Sequence, residues 1–276
     1  MKQAIISFDV ENLYHIPAGK KALRRGVRKD ELDLDLSHAL GLILDMLANH
    51  DVLATFFVVG EFAQKNQHII KEIARKHEIA SHSQTHPFLN RCTKDDFRRE
   101  VVESKKVLEK ISGKKVIGFR APTFSMNHED YHLLKQAGYQ YSSSYMPSIK
   151  IPFFYGGKKF PQNMSIPEFP LSVHPVFKLP LGGAWVRLLG KQFVLDGVQR
   201  LTAHSQTICL YFHPWEFLNL ASTPLPFRVR WRTGNYYQSV FGSVLDTLQD
   251  EDFNFTCFRD MLNLYPKNVI TYHGGC

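Results

Sequence analysis

The sequence predicts an α/β protein built as a barrel of the (β/α) kind, with about seven parallel strands. Short runs of β-branched and aromatic residues alternate with helical patterns along most of the chain, which indicates a parallel sheet covered on both faces. About seven strand and helix units fit the length, and this number favours a barrel over an open doubly wound sheet. The first strand is not followed by a glycine-rich phosphate turn, which argues against a dinucleotide-binding fold.

Seven runs are predicted to form the strands, and they occupy residues 4–10, 54–59, 78–83, 116–122, 140–144, 207–213 and 253–258. Apolar residues at helical spacing predict helices over 36–47, 62–73, 97–111 and 131–137. Phe227–Trp231 carries its arginines at every second position, a period that places them on one face of a strand. We interpret this segment as a solvated edge strand with a basic face.

All residues, 1–276, are predicted to form a single domain, because 44% hydrophobic residues are enough for one sizeable core. An insert of about 147–200 interrupts the alternation of strands and helices. Its first part, Pro147–Pro180, holds seven of the fourteen prolines and therefore cannot be regular helix. We expect this part to form a rim of loops and short strands.

The N-terminus and the cysteines predict the cellular compartment. Met1–Gln3 leads directly into the first strand, and no apolar run approaches the roughly 18 residues of a membrane span. The four cysteines lie far apart, without the pairing typical of disulfide-rich or thiolate metal-binding proteins. We therefore expect a cytoplasmic protein with reduced thiols, without a signal peptide or a transmembrane anchor.

Much of the net charge of +8 comes from one segment, Lys20–Lys29. It contributes six positive side chains, and without them the balance would be 28 minus 26, or +2. Such a segment binds an anionic glycolipid or membrane surface, or is simply solvated. We predict the first of these, binding to an anionic glycolipid or membrane surface, with the protein peripheral at the inner membrane surface. A nucleic-acid partner is not expected, since charge is its only support.

Two acidic residues end the first predicted strand. A period of two places Asp9 and Glu11 on one face, together with Ile5 and Ser7. Barrel active sites are built at the carboxyl ends of the strands, and a buried carboxylate is costly unless it has a partner or a task. The pair predicts a functional site, with a salt-bridged structural pair as the alternative.

Two histidines follow the third strand at a spacing of four. His82 and His86 can share a metal ion on a helix or on a strand, and Pro87 favours a strand end with its loop because it disfavours helical geometry in the residue before it. Chance pairs with this spacing occur, as at His128 and His132. Combined with a strand-end carboxylate, however, His82 and His86 give the set of two histidines and one carboxylate typical of zinc and similar ions.

Two further strands end in a titratable or charged residue before a proline. Arg120 lies two positions before Pro122, and His213 directly precedes Pro214. An isolated arginine at such a position is usually an ion-pair partner, and an isolated histidine is usually a hydrogen-bonded wall residue. Titratable or charged residues thus occupy four strand ends: two acids at the first, two histidines at the second, an arginine at the third and a histidine at the fourth. Together they predict a catalytic site.

Six stretches in this order form a wider pattern: Ser-Phe-Asp-Val-Glu-Asn (7–12), Ala-Thr-Phe-Phe-Val-Val-Gly (54–60), His-Glu-Ile-Ala-Ser-His-Ser-Gln-Thr-His (77–86), Gly-Phe-Arg-Ala-Pro-Thr-Phe-Ser (118–125), Ala-Gly-Tyr-Gln-Tyr-Ser-Ser-Ser (137–144) and Tyr-Phe-His-Pro-Trp-Glu-Phe (211–217). The pattern resembles the polysaccharide deacetylases of the NodB-homology type, in the branch with Asp-Val-Glu and His-Pro-Trp-Glu motifs. The resemblance covers nearly the whole chain and implies a distorted (β/α) barrel of seven strands.

The resemblance implies metal-dependent hydrolysis of an N-acetyl group on a sugar of a polysaccharide, glycolipid or glycan precursor. Carried over residue by residue, Asp9 matches the general base, His82 and His86 the metal ligands, Arg120 the residue that holds the base, and His213 the general acid. The implied cofactor is one divalent ion, zinc in the first place, with cobalt, nickel or manganese as alternatives. The implied partner is the N-acetylated sugar, and no oligomeric state is predicted.

Two positions depart from the usual pattern of this family. Val10 stands where most relatives carry a second aspartate that binds the metal. Glu11 is the nearest replacement, and we predict it as the third ligand. Ser142 stands where relatives carry an aspartate that tunes the acid histidine, and either Glu168 or Glu216 is expected to substitute for it.

Pro122, Tyr145 and Trp215 are predicted to bind the substrate. Residues 153–155 and Trp185, all aromatic and within the insert, favour a surface on which a sugar stacks over a sealed pocket. Two alternatives stay open. One is a glycan-binding or scaffold protein with weak catalysis on the same barrel, and the other is an amidohydrolase acting on a small non-sugar C–N bond.

Overall fold

The structure is a computed structural model of the chain, and it describes residues 2–150, 157, 160–161 and 164–264. One sheet contains seven parallel strands: β1 (Gln3–Val10), β2 (Ala54–Val58), β3 (Glu78–Ser81), β4 (Gly118–Phe119), β5 (Tyr141–Ser142), β6 (Thr207–Phe212) and β7 (Asn254–Phe255). Their order is β5-β4-β3-β2-β1-β6, and β7 pairs with the beginning of β1. The sheet forms a half-barrel surrounded by helices, which confirms the predicted distorted (β/α) barrel.

The helices in the described part of the chain are α1 (Pro17–Leu23), α2 (Ser37–Asn49), α3 (Gly60–Lys65), α4 (Gln67–Lys76), α5 (Lys94–Ser112), α6 (Tyr131–Gln136), α7 (Ala184–Leu189), α8 (Lys191–His204), α9 (Phe227–Arg230), α10 (Asn235–Asp250) and α11 (Phe258–Leu264). The four predicted helices are confirmed with one change. The helix predicted over 62–73 is divided into α3 and α4, which meet at Asn66.

The prediction of an edge strand over Phe227–Trp231 is wrong, because most of this segment forms α9. Its backbone bonds are local: the N–H of Val229 donates to the carbonyl of Pro226 (2.8 Å) and that of Trp231 to the carbonyl of Phe227 (2.9 Å). Val229 is buried and anchors the helix to the core. The alternation of arginines therefore does not reflect a strand period.

The two faces of β1 lie in different apolar layers, as alternation along a strand requires. Ile6 and Phe8 belong to the large cluster between the sheet and the helices. Ile5 belongs to a smaller cluster inside the barrel, together with Phe57 and Phe258. The carboxylates near the end of β1 continue this inner face, which is the face that the sequence predicted for them.

Chain from the insert covers the gap between β5 and β6. On one side the N–H of Ser142 donates to the carbonyl of Pro167 (2.9 Å), and the N–H of Phe169 donates to the carbonyl of Ser142 (2.8 Å). On the other side the N–H of Ser172 donates to the carbonyl of Cys209 in β6 (2.8 Å). Segment 167–172 therefore connects the two free edges of the half-barrel.

The insert predicted over about 147–200 contains two kinds of structure. The described residues before Pro180 lack helices and carry only isolated bridges, as the prolines predicted. The later part is helical and forms α7 and most of α8. Residues 153–155, expected to stack on a sugar, lie outside the described residues.

No helix among the described residues is both long and apolar enough to cross a bilayer. Cys92, Cys209 and Cys257 are free thiols, and Cys276 lies outside the described residues. Burial raises the thiol pKa of Cys209 and of Cys257 to about 12, so both stay protonated and unreactive at neutral pH.

Candidate active site

The predicted site residues meet at the C-terminal ends of four strands. Because parallel strands end at the same edge of a sheet, residues far apart in the chain converge there. They are Asp9 and Glu11 at β1, His82 and His86 after β3, Arg120 after β4, and His213 after β6. All are buried except His213, whose side chain is 15% exposed.

Three of these residues offer ligands for a metal ion. Within the described residues, the ligand atoms of Glu11, His82 and His86 all lie within 4.8 Å of one another. Glu11 Oε2 and His86 Nε2 are 2.6 Å apart, yet their alignment is not that of a hydrogen bond, and Oε2 is buried without such a partner. A buried carboxylate oxygen that faces two imidazoles fits the predicted divalent ion.

The protonation states of these groups suit a cation. His82 Nδ1 lies 2.8 Å from the carbonyl oxygen of Arg120, so Nδ1 carries the proton and Nε2 keeps its lone pair. Burial lowers the pKa of His82 to about 4, and the ring is neutral at pH 7. Burial opposes ionisation of Glu11, but His86, His213 and His82 outweigh it and lower its pKa to about 2.

The loop after β3 holds His86 in an uncommon backbone conformation. Its φ is 60°, and that of Ser83 is 65°, both in the left-handed region that costs free energy for residues other than glycine. The His86 N–H donates to Ser83 Oγ (3.0 Å), and the Lys20 ammonium donates to the His86 carbonyl. Pro87 does keep His86 out of right-handed helix, as predicted.

Arg120 holds the carboxylate of Asp9 in a buried ion pair. Its Nη1 donates to Asp9 Oδ1 (2.7 Å) and to Ser7 Oγ (2.9 Å), and its Nε donates to the carbonyl of Ser143 (3.0 Å). The guanidinium lies 4.0 Å from the centroid of the Phe57 ring and is fully buried. Such a charge is tolerated in the interior because each of its three nitrogens donates a hydrogen bond, that of Nη2 going to Ser143 Oγ (2.9 Å).

His213 is held by a second buried network. Its Nδ1 lies 2.9 Å from Glu216 Oε2, which also accepts from the Tyr237 hydroxyl (2.6 Å). Arg187 Nε donates to the other oxygen of Glu216 (2.6 Å). The His213 Nε2 is 3.5 Å from Glu11 Oε1, so this nitrogen faces the candidate metal site.

The surroundings raise the pKa of His213 above its usual value. Burial alone would lower it, but Glu216 and, less strongly, Glu11 and Asp9 favour the protonated ring. For Glu216, burial opposes ionisation, yet Arg187 and His213 outweigh it and lower the pKa. An ionised carboxylate therefore lies behind a histidine that stays protonated to a higher pH than usual.

The structure distinguishes the two carboxylates considered as substitutes for an aspartate at position 142. Glu216 contacts the acid histidine directly. Glu168 instead accepts from the Tyr131 hydroxyl (2.7 Å) and from the N–H of Ser144 (2.6 Å), and supports the loop after β5. The Ser142 hydroxyl donates to Ser144 Oγ (2.8 Å), on the same side as Glu168.

The three predicted substrate contacts have different surroundings. Trp215 is 3% exposed, and its ring stacks on His213 with 5.1 Å between centroids. Tyr145 is half-buried and packs edge-on against Phe160, with 5.1 Å between centroids. Pro122 is buried at the start of the turn after β4. Their contacts with substrate stay predictions, and the stacking of Trp215 helps to hold the His213 ring.

Sequence reasoning missed Arg187, Tyr237 and His15. A signal for Arg187 was available, because it is the one charged residue of the apolar run Ala184–Leu189. His15 is 2% exposed, and its ring centroid lies 6.0 Å from that of His86. Burial is the main cause that lowers its pKa to about 3, so this ring is neutral. No spacing in the sequence marks His15 or Tyr237.

The fold is a half-barrel with a candidate metal site at the C-terminal edge of its strands, and comparison with known proteins supports this fold class. Residues 33–142 match the family model "Polysaccharide deacetylase", and residues 143–263 match "Domain of unknown function (DUF3473)". Over residues 33–142 the chain is thus similar to the polysaccharide deacetylases of the NodB-homology (CE4) type.

Named relatives share parts of the sequence. A peptidoglycan-N-acetylglucosamine deacetylase of Bacillus cereus is 39% identical over 72 residues, which are 26% of this chain and 26% of the relative. A chitooligosaccharide deacetylase of Sinorhizobium fredii is 42% identical over 67 residues, 24% of this chain and 31% of the relative. The matches thus span less than half the length of these curated relatives.

Solved structures share the fold over nearly the whole chain. A putative polysaccharide deacetylase from Mycobacterium smegmatis superposes with a TM-score of 0.69 at 17% identity, covering 95% of this chain and 90% of that chain. A CE4 family pseudoenzyme from Bacillus anthracis superposes with a TM-score of 0.58 at 16% identity, covering 95% and 66%. At these identities the likeness concerns the fold alone.

Proposed function

We propose that this protein is a metal-dependent N-deacetylase that removes the acetyl group from an N-acetylated sugar of a polysaccharide, glycolipid or glycan precursor. One observation carries the proposal: Glu11, His82 and His86 come together beside two buried networks, since Asp9, held by Arg120, interacts with His82, and His213, held by Glu216, lies 3.5 Å from Glu11. A protein that only binds metal needs neither flanking network.

The donor set suits zinc first, with cobalt, nickel or manganese as alternatives, since two imidazoles and one carboxylate leave positions open for water and substrate. A divalent ion held by Glu11, His82 and His86 supplies Lewis acidity, which polarises the acetamide carbonyl and acidifies water.

Asp9 is the general base of this proposal. Arg120 occupies its Oδ1, so the second carboxylate oxygen is the one that accepts the proton of the attacking water. The arginine keeps the carboxylate in place and supplies the positive charge that offsets its burial. Ser7, which also accepts from Arg120 (2.9 Å), fixes the guanidinium relative to β1.

His213 is the general acid. Because Nδ1 is engaged by Glu216, the proton for the leaving amine comes from Nε2, which faces the site. The raised pKa keeps this proton on the ring to a higher pH than in an ordinary histidine, as an acid catalyst requires.

Acetate release from a panel of substrates tests the proposal. The panel contains N-acetylated chitooligosaccharides, peptidoglycan fragments, lipid-linked N-acetyl sugars and small non-sugar acetamides, each with added zinc and with a chelator. Asp9→Asn is the matched control. Metal-dependent release from a sugar that Asp9→Asn abolishes is the expected result.

Other outcomes identify the alternatives. Release from small acetamides alone indicates the amidohydrolase. Metal binding without release from any member of the panel indicates the catalytically weak glycan-binding protein. The cytoplasmic location, and contact of residues 20–29 with an anionic glycolipid or membrane surface, stay predictions of the sequence.

A further inference from the structure

A groove of about 440 Å³ lies on the second half of the chain, away from the metal-binding residues. Its walls include the aromatic rings of Phe227 and Trp231, the guanidinium groups of Arg230 and Arg232, and the polar side chains of Asn219 and Asn235. A volume of this size is within the roughly 300–1,000 Å³ of typical ligand sites.

The aromatic part of the groove is unusually exposed. Phe227 is 65% exposed and Trp231 is 38% exposed, and their rings stack with 5.7 Å between centroids and 24° between planes. Exposed, mutually stacked rings beside a groove offer a flat apolar surface, the kind that packs against the C–H face of a sugar ring.

The charged part of the groove lacks counter-ions. None of Arg228, Arg230 and Arg232 forms an ion pair with a carboxylate within the described part of the chain. Arg230 Nε is buried and has no hydrogen-bond partner there. Arg230 and Arg232, which line the groove without carboxylate partners among the described residues, favour an anionic ligand, and Arg228 adds a third positive charge on the same helix.

The helix beside the groove is tied to the candidate active site by one side chain. Arg187 Nη1 donates to the carbonyls of Arg228 (2.6 Å) and Val229 (2.9 Å) in α9, while its Nε donates to Glu216. Glu216 in turn holds His213. Arg187 therefore joins the residues behind His213 to the helix that borders the groove.

We propose that this groove binds acidic sugar residues of the glycan, so that the substrate is a polymer with carboxylate-, phosphate- or sulfate-bearing sugars near its N-acetyl groups. The inference rests on the proposed function for the identity of the reacting group, and it adds the substrate class. A concave site with amide side chains favours a glycan over a membrane surface, which a protruding apolar tip would suit better.

Binding measured by titration calorimetry tests the groove without any need for turnover. The probes are an oligosaccharide that alternates N-acetylglucosamine with glucuronic acid, and neutral chitohexaose. The groove variants are Phe227→Ala and Arg230→Gln. Phe177→Ala, at a ring that is 55% exposed, and Arg75→Gln, on the exposed side of α4, are the matched controls.

We expect the native chain to bind the acidic oligosaccharide more tightly than chitohexaose, with affinity that falls as salt is added. Each groove variant should weaken acidic binding about tenfold, and the controls should not change it. Unfolding midpoints check folding, and if Arg230→Gln is unfolded, Arg228→Gln removes a charge from the same helix at an exposed position.

Three results would overturn the inference: no measurable binding of the acidic oligosaccharide by the native chain, equal affinity for both probes, or unchanged acidic binding in the groove variants. If the groove variants lose binding to phosphatidylglycerol vesicles but keep binding to the oligosaccharide, the groove is a membrane-binding surface. Asp9→Asn separates the two proposals, because it should lose acetate release and keep the acidic affinity.

Discussion

The base side and the acid side of the candidate active site each contain a buried pair of a carboxylate and an arginine. On the base side Asp9 Oδ1 lies 2.7 Å from Arg120 Nη1. On the acid side Glu216 Oε1 lies 2.6 Å from Arg187 Nε. They differ in what faces the metal site. Asp9 faces it directly, whereas Glu216 is one layer back, behind His213.

If the proposed roles hold, this difference lets one arrangement serve opposite proton transfers. An arginine behind a carboxylate stabilises the ionised form, which is the form a general base requires. The same pair placed behind an imidazole raises the pKa of the ring, which is what a general acid requires. The proposed acid side lies within residues 143–263, the part that matches the family model of unknown function, so that part of the chain would supply half of the proposed site.

The metal ligands are common to both sides, and their loss should have the largest effect. His82→Ala and His86→Ala should each lose the bound divalent ion and all activity, because two ligands do not retain an ion that three hold. Metal content after dialysis measures this. Glu78→Gln, at a buried carboxylate near the opposite end of the barrel, should keep its metal, and full occupancy in either histidine variant would refute the ligand assignment.

Glu11→Gln tests the third predicted metal ligand. It should weaken metal binding more than Asn12→Ala, because the Asn12 side chain bonds the Asp33 carboxylate and the Leu34 backbone rather than facing the histidines. The reverse order would remove Glu11 from the ligand set.

Removal of the base should come next in size. Asp9→Asn should lose about 10²- to 10⁴-fold in acetate release while its metal content stays unchanged, since a general base contributes to the rate and not to metal affinity. Parallel assays of metal and acetate decide this. If metal and activity are lost together, Asp9 is a ligand and the comparison between the two sides fails.

Removal of the carboxylate behind the acid should change the pH dependence more than the maximal rate. Glu216 raises the pKa of His213, so Glu216→Gln should lower it, and the alkaline limb of the pH–rate profile should move to lower pH. Glu168→Gln and Ser142→Asp should leave that limb in place, because their surroundings lie on the other network. An unmoved limb in Glu216→Gln would mean that His213 is not the acid.

The basic segment Lys20–Lys29 should give the smallest effect, because two of its six charges are paired with carboxylates and Lys20 is half-buried. Lys20 donates to the His86 carbonyl, Arg28 pairs with Asp30, and Lys29 pairs with Glu61. Replacing the other three, Lys21, Arg24 and Arg25, with Gln should weaken sedimentation with anionic vesicles by about fivefold per charge at low salt. Equal sedimentation of both forms would mean that the segment is only solvated.

The sequence predicted what depends on regular alternation. A period of two placed Asp9 and Glu11 on the inner face of β1, and strand ends followed by proline located Arg120 and His213, because both follow from backbone geometry alone. The period of two was misleading at Phe227–Trp231. Arg228 and Arg230 alternate there as they would on a strand, but local hydrogen bonds and the buried Val229 form a helix.

The acid side was harder to predict because its partners come from unrelated elements. Arg187 belongs to α7 and Tyr237 to α10, and neither stands in a motif that resembles the family. Their role depends on a tertiary contact with Glu216, which no local pattern records. Glu216 itself was one of two candidates, and only the packing around His213 separates it from Glu168.

Segment 167–172 bonds to both β5 and β6, so chain from the second half protects both outer edges of the sheet. The two family models meet between Ser142 and Ser143, inside this arrangement. Produced as separate pieces, residues 1–142 and 143–276 would each carry unpaired strand edges, and such edges associate with other molecules. Each piece alone should therefore aggregate, and only co-expression should restore a protein of native size. The border between the two family models is a border in sequence, but the residues on its two sides fold as one unit.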